Sequence, residues 1–309
     1  MVNPIKKVSL IGLGALGVMY AQHLSQKMRS EDLRIIVDKD RKKRYLEDGI
    51  FCNGERVEFN YVTPEQEIEP ADLLIFSVKY TQLQEAIKAV KNHIGEETII
   101  ISVLNGIVSE ADIGTVYGHK HMLYCVAQGM TALKEGNHLT FMNKGLLCFG
   151  ELNAVQNSPK VERLKAFFDR VEMPYEINNH MERKLWSKLL VNVGINQTLA
   201  FYEATNVAVQ QPGEIREHMI RAMEEVIKVA QHEGVDLSYE DIEYWLKLIA
   251  TLEPHGMPSM AQDVKANRTT EVELFAGTIV KLGKQYNVDV PVNEHFLRYF
   301  TDKMLGSKQ

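Results

Sequence analysis

The stretch Val8-Ser9-Leu10-Ile11-Gly12-Leu13-Gly14-Ala15-Leu16-Gly17 decides the fold. Its first four residues form a branched, apolar run of strand length, and from Ala15 to about Met28 the pattern turns helical. Between them lies Gly-x-Gly-x-x-Gly, a weak pattern that gains meaning from a strand before it and a helix after it. Gly12 permits a tight turn, Gly14 lets backbone approach a pyrophosphate, and Gly17 lets the helix pack close to the strand. Gly12, Leu13, Gly14, Ala15, Leu16 and Gly17 are therefore the expected seat of a dinucleotide's phosphates. There the helix presents its positive end and its unpaired N–H groups. A plain tight turn is the alternative, and it would need neither neighbour.

The fingerprint also asks for an acid about 20 residues on, and Asp38 stands there, at the end of a second apolar run over residues 33–37. A carboxylate at that point can accept hydrogen bonds from both ribose hydroxyls and repels a 2′-phosphate, which favours NAD. Lys39, Arg41, Lys42 and Lys43 follow at once and could bind or screen a phosphate, so NADP stays possible. Asp38 can equally be the N-cap of a helix beginning near Arg41.

Outward from this segment, residues 73–78 and 98–103 read as further buried parallel strands, with a helix over 81–93 between them. Residues 122–127, 138–141 and 146–150 read as short strands. A helix over 159–171 and a strand over 175–177 close the first half. From about Asn179 strand signals cease, and helical patterns cover 181–198, 214–233, 239–252, 262–286 and 294–304. The expected architecture is α/β: a Rossmann-type, doubly wound dinucleotide-binding domain over residues 1–178. An all-helical substrate and catalytic domain follows over 179–309, with a cleft expected between the two. In this frame Lys79 and Asn105 follow the third and fourth strands, at the edge where α/β sheets collect ligands. Their bland readings are a surface lysine at a helix start and, with Gly106, a turn dipeptide.

Composition narrows the function classes. A net charge of −6 over 309 residues offers no basic field for nucleic acid. The three cysteines, Cys52, Cys125 and Cys148, lack metal-ligand spacing and suit a reducing compartment. No apolar run approaches the ~20 residues of a membrane helix, so a cytoplasmic protein is expected. His119 and His121 form an H-x-H with no third ligand in view, and no metal is expected. His255 lies near Ser259, but no nucleophile-elbow glycines surround that serine. Trp186 and Trp245 are expected to pack between helices.

In the second half, Lys188, Asn192 and Asn196 recur every fourth residue and share one helix face. Leu189, Leu190, Val191, Val193 and Ile195 around them are apolar, so the helix is largely buried. An unpaired polar group on such a helix costs ~1–3 kcal/mol. The stripe therefore either serves a ligand or is bonded internally between helices.

Taken together, several segments resemble the ketopantoate reductase (2-dehydropantoate 2-reductase) family over essentially the full chain. They are Gly12–Gly17, Ser77-Val78-Lys79, Leu104-Asn105-Gly106, Lys184-Leu185-Trp186-Ser187-Lys188-Leu189 with Asn192 and Asn196, Ser259-Met260-Ala261-Gln262-Asp263, and Thr270-Glu271. The resemblance implies reduction of a 2-oxo acid to a D-2-hydroxy acid with a nicotinamide coenzyme. It implies that Lys188 donates a proton to the substrate carbonyl and that Glu271 bonds the substrate oxygen and orients the lysine. By the same resemblance Asn192, Asn196 and Ser259 hold the substrate's carboxylate and hydroxyls, Asn105 meets coenzyme and substrate, and Lys79 lies near the adenosine ribose.

Asp38 departs from the family's NADPH-using members, which tend to carry a basic residue near this point. The departure leaves room for an NAD-dependent D-2-hydroxyacid dehydrogenase acting on bulky branched or aromatic substrates such as D-mandelate. An alternative of another class is a dinucleotide-sensing protein without turnover; Lys188 and Glu271 argue against it, since a sensor needs no proton donor. The expected partner is a small-molecule 2-oxo acid, with a homodimer possible through the long C-terminal helices.

Overall fold

Runs of branched and aromatic residues build the first sheet. The structure, a computed structural model, describes residues 3–306, and its contacts divide the chain into two units, Met1–Met181 and Glu182–Gln309. The first unit runs β1 (Val8–Ile11), α1 (Ala15–Ser25), β2 (Leu33–Ile36), α2 (Lys39–Asp48), β3 (Ile50–Cys52), β4 (Glu55–Val57) and β5 (Asn60–Val62). It continues through β6 (Leu73–Phe76), α3 (Leu83–Ala89), β7 (Ile99–Ser102), α4 (Ser109–Tyr117), β8 (Tyr124–Glu135), β9 (His138–Gly150), α5 (Pro159–Arg170) and β10 (Tyr175–Ile177).

The main sheet has the order β5-β2-β1-β6-β7, and every neighbouring pair in it is parallel. Period-2 alternation divides its side chains between two cores. Val8, Leu10, Leu33, Ile35, Leu73 and Ile75 pack with α1 and α5, while Ile11, Ile36, Leu74 and Phe76 pack with α3 and α4. Both faces are covered, which is why these strands read as mainly apolar runs, with Ser9 and Arg34 as buried exceptions.

Two features depart from the expected pattern. Strands β3 to β5 go unforeseen, although Asn53-Gly54 marks the turn between β3 and β4. Both residues hold positive φ (49° and 86°), the requirement of a type I′ hairpin. The short strands expected over 122–150 are instead one long antiparallel hairpin, with β8 paired to β9 from Tyr124 opposite Gly150 to Glu135 opposite His138. β9 also pairs with β10 and β3, so the second sheet has the order β10-β9-β3-β4 with β8 beside β9. Cys52, Cys125 and Cys148 are buried and none of them forms a disulfide among the described residues.

The second unit is helical. α6 (Met181–Val191) passes through a π-helical segment, Asn192–Asn196, into α7 (Gln197–Phe201). There follow α8 (Val207–Gln210), α9 (Glu214–His232), α10 (Tyr239–Ile249), α11 (Ser259–Lys265), a second π-helical segment at Glu273–Gly277, α12 (Thr278–Tyr286) and α13 (Pro291–Gly306). α9 is the axis, packed against α8, α10, α12, α13 and the first π-helical segment. Gly194 permits that last contact, because a Cβ there would meet Met223 Cγ at 2.6 Å.

The single helix expected over 262–286 is interrupted. Asn267 adopts the left-handed region (φ 50°), and Arg268 Nε donates to Asp263 Oδ1 at 2.8 Å across the break. Among the described residues no helix is long and apolar enough to cross a membrane.

One buried group in the first unit ties stability to pH. His93 is fully buried, with its Nδ1 3.3 Å from Ser9 Oγ of β1. Burial first, and the Arg34 charge second, push its pKa down to about 4. An unfolded histidine titrates near 6.5, so the unfolded chain takes up this proton first. The stabilising contribution is complete above about pH 6.5 and is lost as pH falls toward the folded value, by about 3 kcal/mol in all. Urea unfolding across this window is expected to show a shallower pH slope for His93→Gln than for the unsubstituted chain. Equal slopes would remove His93 from the account.

Candidate active site

The turn after β1 is shaped by backbone contact. Gly12 holds φ 101°, and a Cβ on it would strike the Ser77 carbonyl; a Cβ on Gly17 would strike the Gly12 carbonyl. Gly14 differs: its Cβ would have only Ser77 O within reach, at an ordinary 3.8 Å. Gly14 is thus dispensable for packing and open on the side a ligand would use. α1 begins at this glycine with no side-chain cap and no acidic residue in its first turn. Its leading N–H groups are left to an exogenous anion, so these residues fit the pyrophosphate of a dinucleotide.

A groove of about 190 Å³ runs from this turn along the ends of β1 and β2. Gly12, Leu13, Ile36, Asp38, Arg41 and Tyr45 line it, together with Pro64, Val78 and Ala86. Apolar walls with two acids, Asp38 and Glu85, and one base, Arg41, suit a nucleoside. The N-cap reading of Asp38 is realised: Oδ1 accepts from Arg41 N–H at 2.7 Å and caps α2. Its other oxygen lies 3.4 Å from Arg41 Nε, and the side chain is about half exposed. Capping leaves the charge in place at the groove's rim.

Lys79 and Asn105 follow β6 and β7 as expected. Lys79 is exposed at the start of a short 3₁₀ turn, Tyr80–Gln82, and lies outside the residues that line the groove. Asn105 is half-buried in a loop fixed by groups that the sequence reading passed over. Ser102 Oγ lies 2.8 Å from Ser109 Oγ, which donates to the buried Glu110 carboxylate, and Leu104 N–H donates back to Ser102 Oγ. Ser109 and Glu110 open α4, so the loop is anchored at both ends.

In the second unit Lys188 is half-buried, while Asn192 and Asn196 are buried on the following turns. Asn196 Nδ2 lies 3.4 Å from Asn192 Oδ1, a long hydrogen bond within the stripe. Asn192 Nδ2 is buried and finds no acceptor among the described residues, as does Thr270 Oγ1 beside Glu271. An amide N–H in that condition favours a site that receives oxygen atoms from elsewhere. The two π-helical segments pack against one another, one holding Asn192 and Asn196 and the other starting just after Glu271. Such segments, rare in themselves, recur at functional sites.

Ser259 opens α11, which packs on α7 and the first π-helical segment. The turn before it is held by Asn206, another residue missed from sequence. Asn206 is buried, its Nδ2 donates to Glu253 O at 2.8 Å, and its N–H donates to Gly256 O. Elsewhere, His121 Nδ1 bonds to Thr98 O and Trp245 Nε1 donates to Ser187 Oγ, both packing roles.

Residues 8–154 match the family model described as Ketopantoate reductase PanE/ApbA, and residues 180–303 match Ketopantoate reductase PanE/ApbA C terminal. A 2-dehydropantoate 2-reductase of Aquifex aeolicus (strain VF5) is 25% identical over 99% of this chain and 97% of that protein. A solved dimeric ketopantoate reductase from Staphylococcus aureus shares the fold with a TM-score of 0.78 at 22% identity, covering 97% of this chain and 99% of that one. A D-mandelate dehydrogenase with NADH and anilino(oxo)acetate reaches 0.85 at 20% identity, covering 98% and 100%.

The contrast between the glycines is testable by calorimetry and dinucleotide titration. Gly14→Ala is expected to keep its melting temperature while dinucleotide Kd rises about tenfold or more, since the added methyl meets only the ligand. Gly17→Ala is expected to lose ~2 kcal/mol or more of stability, because its methyl meets main chain. Equal stability losses in the two variants would refute this division of labour.

Proposed function

Because the chain belongs to the ketopantoate reductase family, we propose that it reduces a 2-oxo acid to a D-2-hydroxy acid with a nicotinamide coenzyme, in the manner of ketopantoate to D-pantoate. The observation that carries this reading is the stripe on the second unit's first helix. It combines a half-buried ammonium at Lys188 with a buried amide at Asn192 whose Nδ2 lacks an acceptor among the described residues. A dinucleotide sensor has no use for that combination.

When bound, the coenzyme supplies hydride to C2. Lys188 gives a proton to the carbonyl oxygen, and its charge steadies the alkoxide as it develops; hydride plus proton completes the CH–OH. Glu271 accepts from the substrate hydroxyl and orients Lys188. Asn192, Asn196 and Ser259 offer N–H and O–H donors to the carboxylate and remaining oxygens, and Asn105 borders coenzyme and substrate. On the coenzyme side, Gly12, Leu13, Gly14, Ala15, Leu16 and Gly17 take the pyrophosphate, with Lys79 near the adenosine ribose. Asp38 favours NADH over NADPH, because its charge at the groove rim opposes a 2′-phosphate. Dimerisation belongs to the same proposal, supported by the Staphylococcus aureus neighbour described as dimeric.

A second substrate reading is favoured by one observation: a D-mandelate dehydrogenase with NADH is among the similar structures. Steady-state rates with NADH and NADPH against ketopantoate and phenylglyoxylate separate a ketopantoate enzyme from one for aromatic 2-oxo acids.

Two variants test the assigned roles. Lys188→Ala is expected to lower kcat by ~10²–10⁴-fold with dinucleotide affinity unchanged; near-normal turnover would refute the proton-donor role. Asp38→Asn keeps an N-cap for α2, since Asn and Asp cap equally well. It is expected to raise the NADPH-to-NADH ratio of kcat/KM about tenfold, the equivalent of about 1.4 kcal/mol. An unchanged ratio would remove Asp38 from coenzyme choice.

A further inference from the structure

Helical segments of π type leave backbone groups out of the regular ladder, and buried backbone groups must be paired somewhere. Here both of the second unit's π-helical segments send such a group to the same side chain, Gln197. In the second segment Gly277 N–H donates to Val272 O, five residues back, the carbonyl that a regular helix would give to Ala276. Ala276 N–H donates instead to Gln197 Oε1 at 2.9 Å. At the first segment the N–H of Gln197 donates to Gly194 O, three residues back, while its Nε2 reaches Val193 O at 3.1 Å. Gln197 is fully buried, so water cannot stand in for it.

The amide's orientation is set from behind. The buried carboxylate of Glu225 on α9 accepts from Val292 N–H, Asn293 N–H and Asn293 Nδ2, at the start of α13. Asn293 must therefore turn its Oδ1 the other way, where Gln197 Nε2 donates to it at 3.2 Å. With Nε2 committed, Gln197 can offer only Oε1 to Ala276. The Glu225 carboxylate, together with the Ala222 carbonyl to which Asn293 Nδ2 also donates at 3.3 Å, thus orders two amides in series. Neither can flip without leaving a buried donor facing a donor.

We propose that Gln197 is a positioning residue for the reaction, locking the register of the segment after Glu271 against the helix that carries Lys188, Asn192 and Asn196. The proposal rests on the roles given above to Lys188 and Glu271. Gln197 touches no reacting atom; it fixes where the acid and the proton donor stand relative to each other. Small displacements of such groups cost rate steeply, ~10²-fold for about 1 Å.

The test is Gln197→Met, which keeps length and volume but removes both polar atoms. Expected are a kcat loss of ~10²-fold, unchanged dinucleotide Kd, and a shifted pH profile of kcat. The loss should also be sub-multiplicative with that of Glu271→Gln in a double-mutant cycle, as it must be if Gln197 works through Glu271. Amide exchange adds a readout independent of activity: Ala276 N–H should lose protection while α9 keeps its own. Should Gln197→Met fail to fold, Glu225→Gln releases the amide order more mildly and is expected to shift the same quantities in the same direction. Turnover within about twofold of the unsubstituted enzyme, or losses that simply multiply, would overturn the lock. Retained turnover in Lys188→Ala would instead overturn the catalytic reading and the lock with it. Lost turnover there combined with normal Gln197→Met would overturn the lock alone.

Discussion

Neighbouring atoms must approach the main chain more closely than a Cβ allows, and both units depend on that constraint. In the first, α1 can start where it does only because Gly17 lies against the Gly12 carbonyl and Gly12 against Ser77. That contact sets the helix's N-terminus at the ends of β1 and β6, where a phosphate can meet its N–H groups. In the second, Gly194 admits the Met223 side chain and so seats the first π-helical segment on α9. Each contact is apolar or backbone in character and specifies position without chemistry. The proposed chemistry lies near these contacts: the glycine turn and Asp38 in one unit, Lys188 and its amides in the other.

The fold was legible where burial on both faces left no choice of residue. β1, β2, β6 and β7 are covered on either side and read as mainly apolar runs, which sequence alone reveals. β4, with Glu55 and Arg56 exposed, carries no such run, and β3 is only three residues long. Their one signal is the Asn53-Gly54 turn. The distal half of the β8–β9 hairpin alternates between partly covered and exposed residues, so its pattern fades with distance from the core.

The candidate site divides in the same way. Glycine spacing and the every-fourth-residue stripe are local properties, and local periodicity conveys them. The π-helical segments are not local: Asn192–Asn196 reads as ordinary helix, and its altered ladder is settled by partners up to a hundred residues away in sequence, such as Asn293 and Ala276. Asn206, Ser109 and Glu110 escaped notice for a related reason, since each holds a loop through bonds that only the folded chain brings together. Asp38 was legible as two alternatives: the structure shows the capping role, and the ribose role belongs to the proposed function.

That double occupation has an evolutionary reading. Position 38 answers to two judges, the helix it caps and the coenzyme proposed to lie beside it. A lysine or arginine placed there to greet a 2′-phosphate would leave α2 without its cap, a penalty of ~1 kcal/mol. Serine, threonine or asparagine would keep the cap and drop the charge. A lineage drifting from one coenzyme toward the other is therefore channelled through small polar residues at this site. The positive charge then comes from a neighbour, and Arg41 already borders the groove. The helix cap acts as a filter on the order in which such changes can accumulate.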